Sequence, residues 1–209
     1  ENFFLRMSRG SGLKGLVSLG KNSEFSNINL LRPLINLPKD DLEKLAFTVF
    51  NTFIKDPSNN NNDFSRVRIR KILKEFKKEG LGTKKLSLTI NNLKSANNAL
   101  DYSTKKNIDE NATYLKKKQS YFLNKFFFIN PEEVILRSIS KILKNLSGRY
   151  YPPRGKKISR LILLMTSKNK PKKTTLGGCV IEKVHETVII NREWHSEGQI
   201  CAKIDTCLI

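Results

Sequence analysis

The chain has 209 residues, 38% hydrophobic and 28% charged, enough to bury the core of one large domain or two small ones. Its 39 Lys and Arg against 19 Asp and Glu leave a net charge of +20, which points to a polyanionic partner, nucleic acid first and an anionic membrane second. No run approaches the ~18–20 apolar residues of a membrane span, and Cys179, Cys201 and Cys207, an odd set without a signal peptide, suit reduced thiols in the cytoplasm.

The chain opens on Glu1-Asn2-Phe3-Phe4-Leu5-Arg6, in mid-pattern and without an initiator Met. That reads as the start of a fragment, with Asn2–Met7 ending a helix begun upstream. Arg9 to Leu16 (Arg-Gly-Ser-Gly-Leu-Lys-Gly-Leu) sets Gly10, Gly12 and Gly15 close together, a tight backbone with positive φ or a close approach. Leu30–Leu34 reads as a short extended segment entering Pro33. Asp40–Phe53 is the clearest helix. Leu42, Leu45, Ala46, Val49, Phe50 and Phe53 form one apolar stripe, and Asp40 with Glu43 resembles a capping box. A turn at Asp56-Pro57-Ser58-Asn59 and a polar loop through Asn62 follow.

Phe64–Phe76 carries two patterns. Arg66, Arg68 and Arg70 alternate with Val67 and Ile69 as in a strand, whereas Ile69, Ile72, Leu73 and Phe76 have helical spacing. The helical pattern is longer and predicts a helix ending at Gly80, with Arg66 and Arg70 on one face and Arg68 roughly opposite. Helices are then expected at Leu86–Tyr102, at Ile108–Lys118 and at Glu132–Leu146, the last stopping at Gly148. The aromatic run Tyr121–Ile129 reads as a strand. Arg149–Gly155 (Arg-Tyr-Tyr-Pro-Pro-Arg-Gly) is a stiff loop before a short helix over Lys156–Met165. A basic loop at Lys168–Lys173 precedes strands at Thr174–Cys179 and Thr187–Arg192. The pattern is α/β, then α+β, with a boundary near Gly80: residues 1–80 and residues 81–209.

Five short segments in order carry a resemblance. Glu1-Asn2 precedes the glycine segment Arg9–Leu16; Arg32-Pro33-Leu34 follows, then Asp56-Pro57-Ser58-Asn59, then Arg66-Val67-Arg68-Ile69-Arg70. The series is similar to the second half of the catalytic domain of tRNA(Ile)-lysidine synthetases. Downstream, Tyr151-Pro152-Pro153-Arg154, Thr175–Cys179 and Ile190–Glu193 look like the C-terminal region of some bacterial members; Trp194–Ile209 matches nothing comparable. The resemblance implies the C-terminal part of a PP-loop ATP pyrophosphatase domain (adenine nucleotide α-hydrolase-like, Rossmann-type), then a mostly helical linker and a small α+β tRNA-binding domain. It also implies an enzyme that adenylates carbon 2 of the wobble cytidine in a CAU-anticodon isoleucine tRNA, after which the amine of free L-lysine displaces AMP. ATP, with Mg2+ expected beside it, isoleucine tRNA and lysine are the implied ligands, and a homodimer is an open expectation. The family's Ser-Gly-Gly-x-Asp-Ser phosphate loop does not occur in these 209 residues, so the chain alone is expected to be inactive.

Under the resemblance, Glu1 would hold or deprotonate the incoming lysine amine, its alternative being a surface carboxylate. Arg66, Arg68 and Arg70 would face the nucleotide, where a guanidinium offers a charged, planar double donor to the α-phosphate; the alternative is a basic helix face on tRNA or solvent. Asp56 and Asn59 would position the arginine helix or a ligand, or merely end a turn. Arg9 would face the tRNA backbone. Arg149, Tyr150, Tyr151, Arg154, Lys156 and Lys157 mix basic and aromatic groups of the kind that hold phosphates and stack on unpaired bases; the alternative is a rigid core-edge loop. Lys116–Lys118 and Lys168–Lys173 are non-specific phosphate candidates. Cys179 with His185 and Cys201 with Cys207 lack zinc-site spacing and read as packing residues. A second function class stays open, a non-catalytic basic RNA-binding module. A membrane-surface role would need a helix basic on one face and strongly apolar on the other, which the sequence lacks.

Overall fold

In the computed structural model the described residues are 1–17, 20, 22–25, 28–35, 37–52, 54, 56–167 and 173–193. They fall into two units, Glu1–Asn98 and Ala99–Ile209. Helix α1 (Asn2–Met7) buries Leu5. Gly10, at φ +67°, turns the chain into the single helical turn α2 (Leu13–Leu16), as the glycine spacing suggested. Strands β1 (Asn22–Phe25) and β2 (Ile28–Leu31) pair antiparallel, Asn22 opposite Leu31.

Helix α3 (Lys39–Phe50) forms where expected, but without the capping box. It starts one residue before Asp40, with extended Pro38 as its cap, so Asp40 lies inside the first turn. Glu43 instead pairs with Lys39 at 3.1 Å. Asn51, in the left-handed region at φ 55°, ends the helix; Phe53 lies outside the described residues. The apolar stripe of α3 meets no core within its unit: Leu45, Val49 and Phe50 are 60%, 59% and 72% exposed. A 3-10 turn over Pro57–Asn60 leads to α4 (Ser65–Lys78), which confirms the helical reading of the arginine segment. Helix α4 buries Val67, and Phe76 stacks on Phe4 of α1 with ring centres 6.0 Å apart.

Helix α5 (Thr83–Asn111) is one helix where two were expected. It ends at Asn111, and Ala112–Leu115, read as helix from its polarity, is strand β3. Pairing decides this: Ala112 to Leu115 match Leu123 to Ser120 of β4 (Ser120–Leu123) residue for residue. The strand expected through Ile129 stops at Leu123 because Asn124 accepts the Phe127 amide at 3.1 Å and starts a 3-10 turn over Lys125–Phe128. That turn swings Phe127 fully into the core.

Helix α6 (Glu132–Ser147) ends at Gly148, left-handed at φ 66°, and α7 spans Gly155–Thr166. Strands β5 (Lys173–Leu176), β6 (Cys179–Val184) and β7 (Thr187–Arg192) complete a wholly antiparallel sheet of order β3-β4-β7-β6-β5. The sequence reading ran β5 on through Cys179 and missed β6; left-handed Gly177 and Gly178 end β5 and open a hairpin there. Ile135, Ile139, Ile142, Leu143 and Leu146 of α6 and Ile158, Leu161, Ile162 and Met165 of α7 share one core with Leu123, Cys179, Ile181, Val188 and Ile190 of the sheet. A buried polar joint completes it. Asn107 donates to Phe127 O and Ser138 Oγ at 3.3 Å, and its carbonyl oxygen accepts from Asn111 and Asn130 at 3.0 and 2.9 Å. Among the described residues, no helix is long and apolar enough to cross a membrane.

Candidate functional site

Two sequence-separated segments of the first unit converge on Arg70. Asp56 caps the 3-10 turn by accepting the Ser58 amide at 2.9 Å, and this holds its carboxyl below the ordinary carboxylate value. The turn presents Asn59, whose amide nitrogen donates back to Asp56 O at 3.2 Å. From α4, Arg70 Nη1 donates to Asn59 Oδ1 at 3.2 Å, and its Nε donates to Glu1 Oε1 at 2.6 Å. The bond to Glu1 is the main cause of the raised Arg70 pKa. Both partners are more than a third exposed, so the pair contributes only about 0.2–1 kcal/mol to folding. Its geometry matters more than its energy.

Arg66 and Arg70 are on one face of α4, as the helical reading required. Together with Ser58, Asn59, Phe64 and Ser65 they line a cleft of about 390 Å³. Arg68 faces elsewhere: its Nη1 donates to Asn62 O and Asp63 O, both at 2.8 Å. It fastens the loop that leads into α4 and does not line the cleft. The sequence offered no sign of that role, because backbone carbonyl acceptors carry no residue signature. Two guanidiniums and an asparagine beside one cleft suit phosphate oxygens. No group of three or more His, Cys, Asp or Glu able to hold a metal occurs among the described residues.

Arg9 is exposed in the turn after α1. In the second unit Arg149 and Pro153 approach the glycine hairpin between β5 and β6. A Cβ on Gly177 would lie 2.7 Å from Pro153 Cγ, so a glycine there lets the loop sit this close, whereas one on Gly178 would lie 3.3–3.4 Å from the Arg149 guanidinium, the movable end of a flexible side chain. Tyr150 and Tyr151 meet edge to face at 4.4 Å, and Lys144 lies 5.7 Å from the Tyr150 ring centre. Tyr151 is 73% exposed. Arg154, at the N-cap of α7, and Lys156 and Lys157, in its first turn, are exposed, and that turn carries no acid. Lys116–Lys118 form an exposed 3-10 turn, whereas residues 168–172 and Trp194–Ile209, with Cys201 and Cys207, lie outside the described residues. Cys179 is buried, as expected, and burial pushes its thiol up to about 11. His185 is no packing residue: it sits exposed and left-handed in the β6–β7 turn.

A model of the PP-loop domain matches residues 1–76, the stretch that holds Glu1, the Asp56–Asn59 turn and the α4 arginines. The tRNA(Ile)-lysidine synthase of Wolbachia pipientis wMel is 30% identical over 198 residues, covering 92% of this chain and 45% of that protein. Those of Rickettsia akari (strain Hartford) and Orientia tsutsugamushi (strain Boryong) are 30% and 31% identical, covering 93% of this chain and 44% and 45% of their own lengths. The chain thus spans a little under half the length of the relatives it matches. Similarity to proteins named tRNA(Ile)-lysidine synthase thus runs through both units, and the arginine-lined cleft falls inside the PP-loop match.

Proposed function

We propose that this chain serves the ATP-dependent ligation of lysine to the wobble cytidine of a CAU-anticodon isoleucine tRNA, as the C-terminal half of a PP-loop catalytic domain followed by a tRNA-binding region. The observation that carries the reading is the convergence of Glu1, Asn59 and Arg70 beside the cleft that Arg66 also lines. ATP is a substrate here. The cytidine O2 attacks its α-phosphorus, pyrophosphate leaves, and carbon 2 becomes activated. The lysine amine then bonds to carbon 2, and AMP departs with the original oxygen.

Each residue has a part in those two steps. Arg66 and Arg70 offer donors to the charge that grows on the α-phosphate. Glu1 is the carboxylate that holds the lysine ammonium and accepts the proton the amine must lose before it attacks. Arg68 keeps the loop before α4 in place. In the second unit Arg149, Arg154, Lys156 and Lys157 supply phosphate contacts, and exposed Tyr151 offers a ring for an unpaired base, while Arg9 adds a contact from the first unit.

The experiment is made on the protein at its full gene-encoded length. Arg66→Ala or Arg70→Ala is expected to slow adenylation by ~10²–10³, the usual cost of losing one charge-stabilising donor, with tRNA affinity close to that of the parent. The basic, aromatic Arg149–Lys157 loop favours a second reading, an RNA-binding module without chemistry. That reading requires a different outcome: no adenylation by the parent protein, with salt-sensitive tRNA binding that weakens when the basic residues of the loop are removed.

A further inference from the structure

The guanidinium of Arg70 is held at two different nitrogens by two different acceptors. Glu1 takes Nε and Asn59 takes Nη1. One acceptor would leave the planar group free to swing about that bond, whereas two fix both its position and its plane. Asn59 can do this because its own amide is fixed in turn. Its nitrogen donates to Asp56 O, and the Asp56 carboxylate holds the Ser58 amide that begins the turn. Asp56, Ser58 and Asn59 are all exposed, so the chain of bonds adds little to stability. What it does supply is orientation of an arginine that lines the cleft, the kind of support a preorganised site needs.

We infer that Asn59 is a positioning residue for Arg70, with the Asp56–Asn59 turn as its mount. The inference rests on the adenylation role proposed above for Arg70. Chemically, the position needs a side-chain oxygen at the reach of asparagine. Aspartate supplies one without the N–H that Asp56 O accepts, glutamine displaces it by a methylene, and alanine removes it.

The test measures pyrophosphate release in the presence of isoleucine tRNA, on the protein at its full gene-encoded length, with a melting curve for each variant. Asn59→Ala is expected to lower kcat about ten-fold, the scale of one hydrogen bond to a charged group, with KM for ATP changed by less than about three-fold. Asn59→Asp keeps the oxygen for Nη1 but loses the donor to Asp56 O, so it should recover part of the kcat lost in Asn59→Ala, and that recovery separates positioning from mere turn structure. A double variant, Asn59→Ala with Arg70→Ala, should be no slower than Arg70→Ala alone, because Asn59 acts only through Arg70. An unchanged kcat in Asn59→Ala overturns the inference, as do losses that multiply in the double variant. If Arg70→Ala itself adenylates at the parental rate, the proposed role of Arg70 fails first and the inference falls with it.

Discussion

Asp56 illustrates how much a fully exposed side chain can still decide locally. Its carboxylate caps the turn that presents Asn59, and the bond from the Ser58 amide depresses its pKa below the ordinary 3.8. A group whose folded pKa is depressed contributes stability that is present above its unfolded value and lost as pH falls through the folded one. The turn should therefore stay formed on acidification past 3.8 and loosen only below it. The Ser58 amide proton, followed by NMR, is expected to titrate with a midpoint lower than that of an unstructured aspartate. A midpoint at or above the ordinary value would mean that the cap is not made. The sequence went some way at this scale. Asp56, Asn59, Arg66 and Arg70 were singled out by motif order, and helical spacing put the two arginines on one face. The bonds themselves were not legible, because the meeting of Glu1 with Arg70 spans 69 positions and depends on how α1 packs on α4. Arg68 was grouped with its neighbours by residue type alone, although on the helix it turns to Asn62 and Asp63.

At the scale of elements, legibility followed the strength of the local signal. Helices α3, α4 and α6 were read from their apolar spacing, and Gly148 stops α6 as expected. The misses lie where pairing or a side-chain cap outweighs local pattern. Lysine-rich 112–118 looked helical until β4 was available to pair with it, and Asn124 cut an aromatic run short. Strand β6 was lost because two consecutive glycines that make a hairpin look, in sequence, like an interruption of one strand. That hairpin gives a direct test. Gly177 sits at φ +67°, and a Cβ there would meet Pro153 Cγ at 2.7 Å. Gly177→Ala is expected to destabilise the second unit by about 1–3 kcal/mol through strain and overpacking, read as a lower urea midpoint with an unchanged slope. A variant as stable as the parent would show that the Tyr150–Arg154 loop does not rest on the hairpin.

Across the whole molecule the two units differ in how they are held. Among the described residues of the first, Leu5 and Val67 are the buried apolar side chains, whereas the second buries a continuous set from Leu123 to Ile190. At about 25 cal/mol per Å² of apolar surface removed from water, burial stabilises the second unit far more than the first. Native-state hydrogen exchange on this chain should therefore protect amides of α6, β6 and β7 by a large factor and those of α3 hardly at all. Equal protection in α3 and α6 would contradict this ordering. Motif order in the first unit pointed to the PP-loop resemblance, but composition, averaged over the chain, gave no hint that the core would be so unevenly shared.

The bare stripe on α3 has a meaning for the life of such a chain in a cell. Leu45, Val49 and Phe50, left in solvent, are what chaperones bind and quality-control proteases follow. A molecule with its second unit folded and this stripe uncovered would still be handled as unfinished. Its abundance would then be set by how soon something apolar covers α3, and less by how well its own core holds.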